Sequence, residues 1–206
     1  MSPKDLCTIE FIDKMADAEI DNKYIMSPKD LCTIEFIDKM ADAGVSVFKI
    51  EGRARSAEYV KKASHAYKTA ITAVENGSFS QEMASSLKAE LSEVFNRGFW
   101  DGYYQGARLG QWSEVYGSKA TKKKVYIGKI TNYFSNIGVA EVLIESSELC
   151  KGDNVLIIGP STGVIELKVN EIRVDLKETD KAIKGEYCSI PVAEKLRRSD
   201  KLYLFE

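Results

Sequence analysis

From Lys124 onward the sequence is a succession of short apolar runs with no helical period. They are KVYIGKITNYF (124–134), VAEVLIE (139–145), GDNVLIIG (152–159), VIELKVNEIRV (164–174), GEYCSIPV (185–192) and KLYLF (201–205). Gly, Asn and Asp turn signals separate them. Alternating or β-branched runs of this length, bounded by turn residues, form strands rather than helices. Six such strands without an intervening helix predict a small closed β-barrel over residues 124–206.

The preceding part has a different texture. Ser27 and Pro28 suit an N-cap and a first helical position, with Asp30 in the positive first turn. Leu31, Ile34, Ile37 and Met40 then recur on one helical face, and Gly44 is placed to end the helix. VSVFKI (45–50) reads as a buried strand, and DNKYIM (21–26) as a weaker one. Strand, helix and strand at this spacing suggest a βαβ unit of a parallel sheet or barrel. Ser56 predicts the start of a helix running to about Asn76, with Gly77 stopping it. Ser80 predicts another, carrying Leu87, Leu91, Val94 and Phe95. Glycines at 98, 102, 106 and 110 weaken any helix there, so residues 96–112 read as a loop. SEVYGSKATKKK reads as a linker, which places a boundary at residues 113–123.

Residues 1–18 and 26–43 are identical, MSPKDLCTIEFIDKMADA in both places. Two identical units and no third differ from the diverged self-similarity of a repeat fold. Residues 1–18 are therefore read as a duplicated copy, and 19–112 as the segment that carries structure. The length of 206 residues allows one large domain or two small ones. No apolar run approaches the roughly 20 residues of a membrane span. No basic and then apolar leader is visible either, so the expected location is cytoplasmic. Four cysteines, Cys7, Cys32, Cys150 and Cys188, do not make a disulfide scaffold in a chain of this length. A net charge of −2 argues against a general nucleic-acid binder but leaves room for a local basic patch.

MSPKDLC (26–32), AGVSVFKIEGRARSAEYV (43–60) and FNRGFWDGYYQG (95–106) resemble the C-terminal part of the peptidase U32 family. Members have been called collagenase-like proteases, and others hydroxylate tRNA or ribosomal RNA. ELCKGDNVLIIGP (148–160), AIKGEYCSIPV (182–192) and RRSDKLYLF (197–205) are similar to the second domain of elongation factor Tu. The resemblance implies an α+β chain, with a partial (β/α)-barrel segment and its helices followed by a six-stranded translation-factor-like β-barrel. A complete (β/α) barrel takes roughly 250 residues. The chain therefore resembles the tail of such an enzyme, and the missing N-terminal catalytic barrel is an expected partner.

The resemblance also implies a [4Fe–4S] cluster in the intact parent, with Cys32 as its fourth ligand and Cys7 as the copy of that position. A thiolate cluster needs four ligand positions, so this fragment alone is expected to hold none. Without the family, Cys32 reads as a small buried hydrophobe ahead of a ligand. Glu51 and Arg53, with Lys49 and Arg55, lie just past the VSVFKI strand, where (β/α) barrels carry their sites. They are pocket candidates; an ion network holding the loop is the alternative. Arg97, Trp100, Tyr103 and Tyr104, with Phe99, Arg108 and Trp112, could stack and hold RNA bases, or plug a domain junction. Lys122, Lys123 and Lys124, beside Lys119, could meet phosphates or simply solvate a linker. His65, the chain's single histidine, reads as a packing or surface residue of a helix rather than a catalytic one, and it lends a protease reading no support. The expected function is iron–sulfur-dependent RNA hydroxylation in the intact parent. The alternatives are a peptidase and a non-catalytic remnant whose barrel binds RNA or a protein.

Overall fold

The computed structural model describes residues 28–107, 110–113 and 117–206. The duplicated segment 1–18, Cys7, the DNKYIM strand and Arg108 lie outside the described residues. The chain divides into two compact units. One comprises residues up to Thr33 together with 96–119, and the other 34–95 together with 120–206. The second unit thus holds both the helices and the sheet.

In the first unit, β1 (Asp30–Leu31) pairs in parallel with β2 (Phe99–Trp100). The expected helix start at Ser27–Pro28 is corrected here, because residues 28–31 are extended. Pro28 bridges to Trp112, and the Asp30 N–H donates to the Gly98 carbonyl at 2.8 Å. Asp30 does not serve a helix N-terminus. Its carboxylate accepts from the Arg97 backbone N–H at 3.0 Å. Leu31 is 52% exposed rather than on a buried helical face.

The second unit opens with a 3-10 turn (Ile34–Phe36) that leads into α1 (Ile37–Asp42). Ile34 and Ile37 are fully buried, as their helical spacing predicts. α2 (Ala57–Glu75) begins after Ser56 and ends at Asn76, with Gly77 at φ +75° just beyond. The buried face of α2 is a stripe of Ala63, Ala66, Ala70 and Ala73, so a neighbouring element can approach closely along it. α3 (Gln81–Ser92) is capped by Ser80, whose Oγ accepts from the Met83 N–H at 3.2 Å. Lys88 of α3 pairs with Glu35 of the turn.

VSVFKI does not form the expected strand. Residues 45–50 carry no regular structure, and Val47 is 82% exposed. A strand requires a partner for its backbone hydrogen bonds, and no described strand pairs with this segment.

The sheet is built from β3 (Lys124–Phe134), β4 (Val139–Ile144), β6 (Asn154–Gly159), β7 (Gly163–Lys168), β8 (Ile172–Val174), β9 (Lys177–Thr179), β11 (Tyr187–Pro191) and β12 (Lys201–Phe205). Its order is β7-β6-β12-β3-β4-β11-β8-β9. A separate antiparallel pair joins β5 (Glu148–Cys150) to β10 (Lys181–Ile183). The α+β class holds, but the expected six strands are exceeded. The 164–174 run splits around Val169–Asn170, and the three-residue strands β5, β9 and β10 are too short to show a period. The ladder also stays open, ending at β7 and β9 instead of closing into a barrel. Alternation puts Ala140, Val142 and Ile144 of β4 into one core with Ile130, Ile157 and Leu202. Leu156 faces the other way and is also fully buried. Its cross-strand neighbours Glu166 and Tyr203 share that face.

Candidate functional site

The first unit gathers five of the expected residues. The Cys32 N–H donates to the Trp100 carbonyl at 2.9 Å, so the thiol-bearing residue continues the register of the β1–β2 pair. Cys32 is buried. Arg97 precedes β2, and its guanidinium reaches the Asp30 carboxylate at 3.3 Å. After β2 the chain turns through Gly102 (φ +65°), whose missing side chain leaves room for Leu31: a Cβ there would sit 2.8 Å from Leu31 Cδ1. That turn presents Tyr103 and Tyr104, 59% and 62% exposed. The Tyr103 ring packs edge-on against Trp100, with centroids 5.3 Å apart and planes at 80°. One tyrosine thus stands on a tryptophan edge, held by a short parallel pair. Lys29 lies on the same unit and donates to the Gln111 side chain at 2.9 Å. Exposed aromatic rings can stack unpaired bases.

The other candidates lie on the second unit. Glu51 and Arg53 share one loop, where the Arg53 N–H donates to Glu51 Oε1 at 2.7 Å. Glu51 also sits 3.7 Å from Lys49, with both side chains mostly exposed. The Arg55 guanidinium covers the Phe95 ring at 4.5 Å and the Tyr59 ring at 5.3 Å. His65 is exposed on α2.

Two of the three clustered lysines have carboxylate partners. Lys122 pairs with Glu93 at 2.9 Å, and Lys62 of α2 reaches the same carboxylate at 2.7 Å. Lys124 pairs with Glu58 of α2 at 2.7 Å. The ammonium groups of Lys122 and Lys124 also lie over the Phe205 and Tyr203 rings, at 5.0 and 4.8 Å. Lys123 is exposed. These contacts dock α2 on the Tyr203 face of the sheet. The acidic partners Glu58 and Glu93 were missed at the sequence level, since a carboxylate on a helix is usually a solvated one.

Burial alone would raise the Glu58 carboxyl. The Lys124 ammonium, the Ser56 hydroxyl and its own backbone N–H more than offset this and hold it below the ordinary 4.5. Glu93 follows the same pattern, with burial opposed by Lys62 and Lys122. A carboxyl lowered in the folded state stabilises above its unfolded pKa, and that contribution is lost as pH falls through the folded value. Glu93→Gln should therefore lower the melting temperature at pH 7. The gap to the parent should close as pH falls below 4.5, the ordinary carboxyl value. Melting curves of both proteins across this range would show it. A gap that persists at low pH would mean that Glu93 acts by packing and not by charge.

Three free cysteines are described, and they do not converge: among the described residues no group of three or more Cys, His, Asp or Glu could hold a metal. Cys150 and Cys188 belong to the sheet unit. Burial pushes the Cys188 thiol up to about 12, with Glu186 adding to the rise. The Cys150 thiol is also raised, by burial and then by Asp153 and Glu148. Both shifts oppose thiolate ligation. The described donors therefore do not fit a complete four-thiolate cluster; Cys32 supplies a single thiol.

Residues 18–114 match the family model of peptidase family U32. A protein called collagenase from Porphyromonas gingivalis strain W83 is 56% identical over 206 residues, all of this chain and 44% of its own length. A second P. gingivalis protein of that name is 57% identical, with 50% of its length covered. An uncharacterized protease of Methanocaldococcus jannaschii is 34% identical over 209 residues, covering 44% of that protein. The chain spans half or less of the length of these curated relatives. A crystal structure of a C-terminal domain from a Geobacillus thermoleovorans U32 protein aligns with 39% of this chain and 91% of its own. It is 20% identical, with a TM-score of 0.37. No helix among the described residues is long and apolar enough to cross a membrane.

Proposed function

We propose, from the premise that this chain belongs to peptidase family U32, that it forms the RNA-facing half of an RNA hydroxylation protein. The observation that carries this reading is the first unit's geometry. The exposed Tyr103 and Tyr104 stand on the turn that follows β2, and β2 also pairs with Cys32 through the Trp100 carbonyl. A stacking platform and a single buried thiol therefore share one short parallel pair. In the intact parent that thiol would be one of four cluster ligands. The described residues hold no other thiol there, so the chemistry belongs to the whole protein.

The residues present support binding and orientation. An extruded or single-stranded base would stack on the tyrosine rings, as bases do on aromatic side chains. Lys29 would meet the backbone phosphates. Arg97, tied to Asp30 at 3.3 Å, would hold the turn's entry and not the ligand. The test is binding of a fluorescent tRNA to this chain at low salt, read by anisotropy. Tyr103→Ala and Tyr104→Ala should each weaken binding by about tenfold, as loss of a stacked base does. Undisturbed affinity in both variants, or no binding by the parent, would overturn the reading.

A second reading is peptidase activity, favoured by the name collagenase carried by two relatives. It needs an activated nucleophile. The chain's one histidine, His65, is exposed on α2. Hydrolysis of gelatin by a full-length member, with unmodified tRNA in cells lacking it restored by no amount of that protein, would favour the peptidase.

A further inference from the structure

Residues 195–201 read Lys-Leu-Arg-Arg-Ser-Asp-Lys and form the turn that leads into β12. Four of the seven are cationic. Lys195, Arg197, Arg198 and Lys201 are exposed, whereas the one carboxylate among them, Asp200, is buried. Solvent therefore meets only the positive charges of this turn. Glu58 and Glu93 take Lys124 and Lys122, but no carboxylate among the described residues pairs with Lys195, Arg197, Arg198 or Lys201. Arg198 Nε donates to the Thr131 carbonyl at 2.7 Å, which leaves the two terminal guanidinium nitrogens unused. Lys201 stands directly opposite Lys129 of β3. Like charges so placed repel. Glu145 answers Lys129 at 2.6 Å, and nothing described answers Lys201. The turn is fixed before anything binds. The Ser199 N–H donates to the Ile130 carbonyl at 2.9 Å, with Ser199 held at φ +71°, and the Asp200 carboxylate accepts from the Arg197 N–H at 2.8 Å. Backbone strain of this kind clusters at ligand sites, and a preordered turn loses little freedom on binding.

The occupant follows from what this surface lacks. Among the described residues no exposed large hydrophobic side chain lies between Tyr187 and the end of β12. Protein interfaces are centred on aromatic and apolar anchors. A phosphate backbone needs only cations and hydrogen-bond donors. We infer that the turn 195–201 docks the phosphate backbone of a nucleic-acid strand through Arg197, Arg198 and Lys201. That the strand is RNA rests on the reading above. The site itself does not, since it belongs to the second unit and Tyr103 and Tyr104 to the first.

The experiment follows the anisotropy of a fluorescent tRNA, and of a single-stranded DNA oligonucleotide, from about 50 to about 200 mM NaCl. Each phosphate contact contributes about 0.7–0.9 to the slope of log affinity against log salt. The triple variant Arg197→Gln, Arg198→Gln and Lys201→Gln should lower that slope by about 2 and weaken low-salt binding at least about tenfold. Lys201→Gln alone, which breaks no ion pair, should lower it by about 0.7–0.9. A control triple, Lys168→Gln, Lys177→Gln and Lys184→Gln, removes the same charge from other exposed positions of the unit. It should move the slope by less than about 0.5. Circular dichroism checks that each variant keeps the parent's fold. Turn and control triples that weaken binding equally would overturn the proposal, by making net charge the cause. A slope unchanged in the turn variants would overturn it as well, even where Tyr103→Ala and Tyr104→Ala abolish binding and so uphold the stacking reading. Binding that is lost with the turn and indifferent to both tyrosines would uphold the site and overturn that reading. DNA bound through the turn, with tRNA left unbound, would do the same. No binding of either probe by the parent would overturn both.

Discussion

Lys124→Met is expected to lower the stability of the helix-and-sheet unit by about 3–5 kcal/mol, the usual cost of stranding a buried carboxylate. Glu58 is only 7% exposed, and its Oε1 takes the Lys124 ammonium at 2.7 Å. Its Oε2 has no hydrogen-bond partner among the described residues. Removing the ammonium leaves a buried carboxylate with only the Ser56 hydroxyl and its own backbone N–H to offset its desolvation. For a unit of this size that loss corresponds to a fall in melting temperature on the order of 10 °C. Glu58→Leu in the same chain should recover most of it, because an apolar pair of similar volume replaces the ion pair. Acid should narrow the gap between Lys124→Met and the parent. In the variant burial raises the Glu58 pKa, so protonation relieves the penalty as pH falls. Thermal melts of the single and double variants decide the matter. A drop of less than about 2 °C in the single variant would mean that the pair sits in water.

Asp200→Ala should be nearly as damaging, at about 2–4 kcal/mol. Asp200 is 1% exposed at the turn before β12. Its carboxylate accepts from the Arg197 backbone N–H at 2.8 Å and from the Thr162 hydroxyl at 2.5 Å. The turn also holds Ser199 at φ +71°, a left-handed conformation that a serine does not favour. Its carbonyl and neighbours tie this turn to β3, since the Ile130 N–H donates to the Asp200 carbonyl at 2.8 Å. Truncation leaves two part-buried donors without that acceptor and frees the strained turn. Gly159 backs directly onto the same carboxylate, with no room for a Cβ between them. Asp200→Asn should be milder, since both bonds end on Oδ2 and an amide oxygen in that place can still accept them. Denaturant unfolding of the three proteins would rank them; equal midpoints would show that the carboxylate is solvated.

Much of the local structure was legible because its causes are local. β3 and β12 span the residues expected of them, since alternation and turn residues lie inside each run. Ser56 and Gly77 bracket α2 for the same reason, and Ser80 opens α3. Of the candidate site, the residue types were readable: a thiol near 32 and aromatics among glycines near 100. The pairing that joins them was not. Asp30–Leu31 looked like a helix start because Ser, Pro and Asp favour one there. The Gly98 and Trp100 backbones offered a better set of partners from far along the chain. The lysines near 122 looked solvated, yet Glu58 and Glu93 of the helical region take two of them.

By itself the sequence determined the bounds of α2, β3 and β12, the start of α3, and that the class is α+β. Capping, periodicity and turn chemistry act between residues a few positions apart, so they can be read from a line of letters. Tertiary structure alone decided that the ladder ends at β7 and β9 without closing, that the Lys124 ammonium of β3 meets the buried Glu58 of α2, and that VSVFKI pairs with no described strand. Each of these depends on which distant backbone or charge lies opposite, and a strand-forming run becomes a strand only when another strand satisfies its hydrogen bonds.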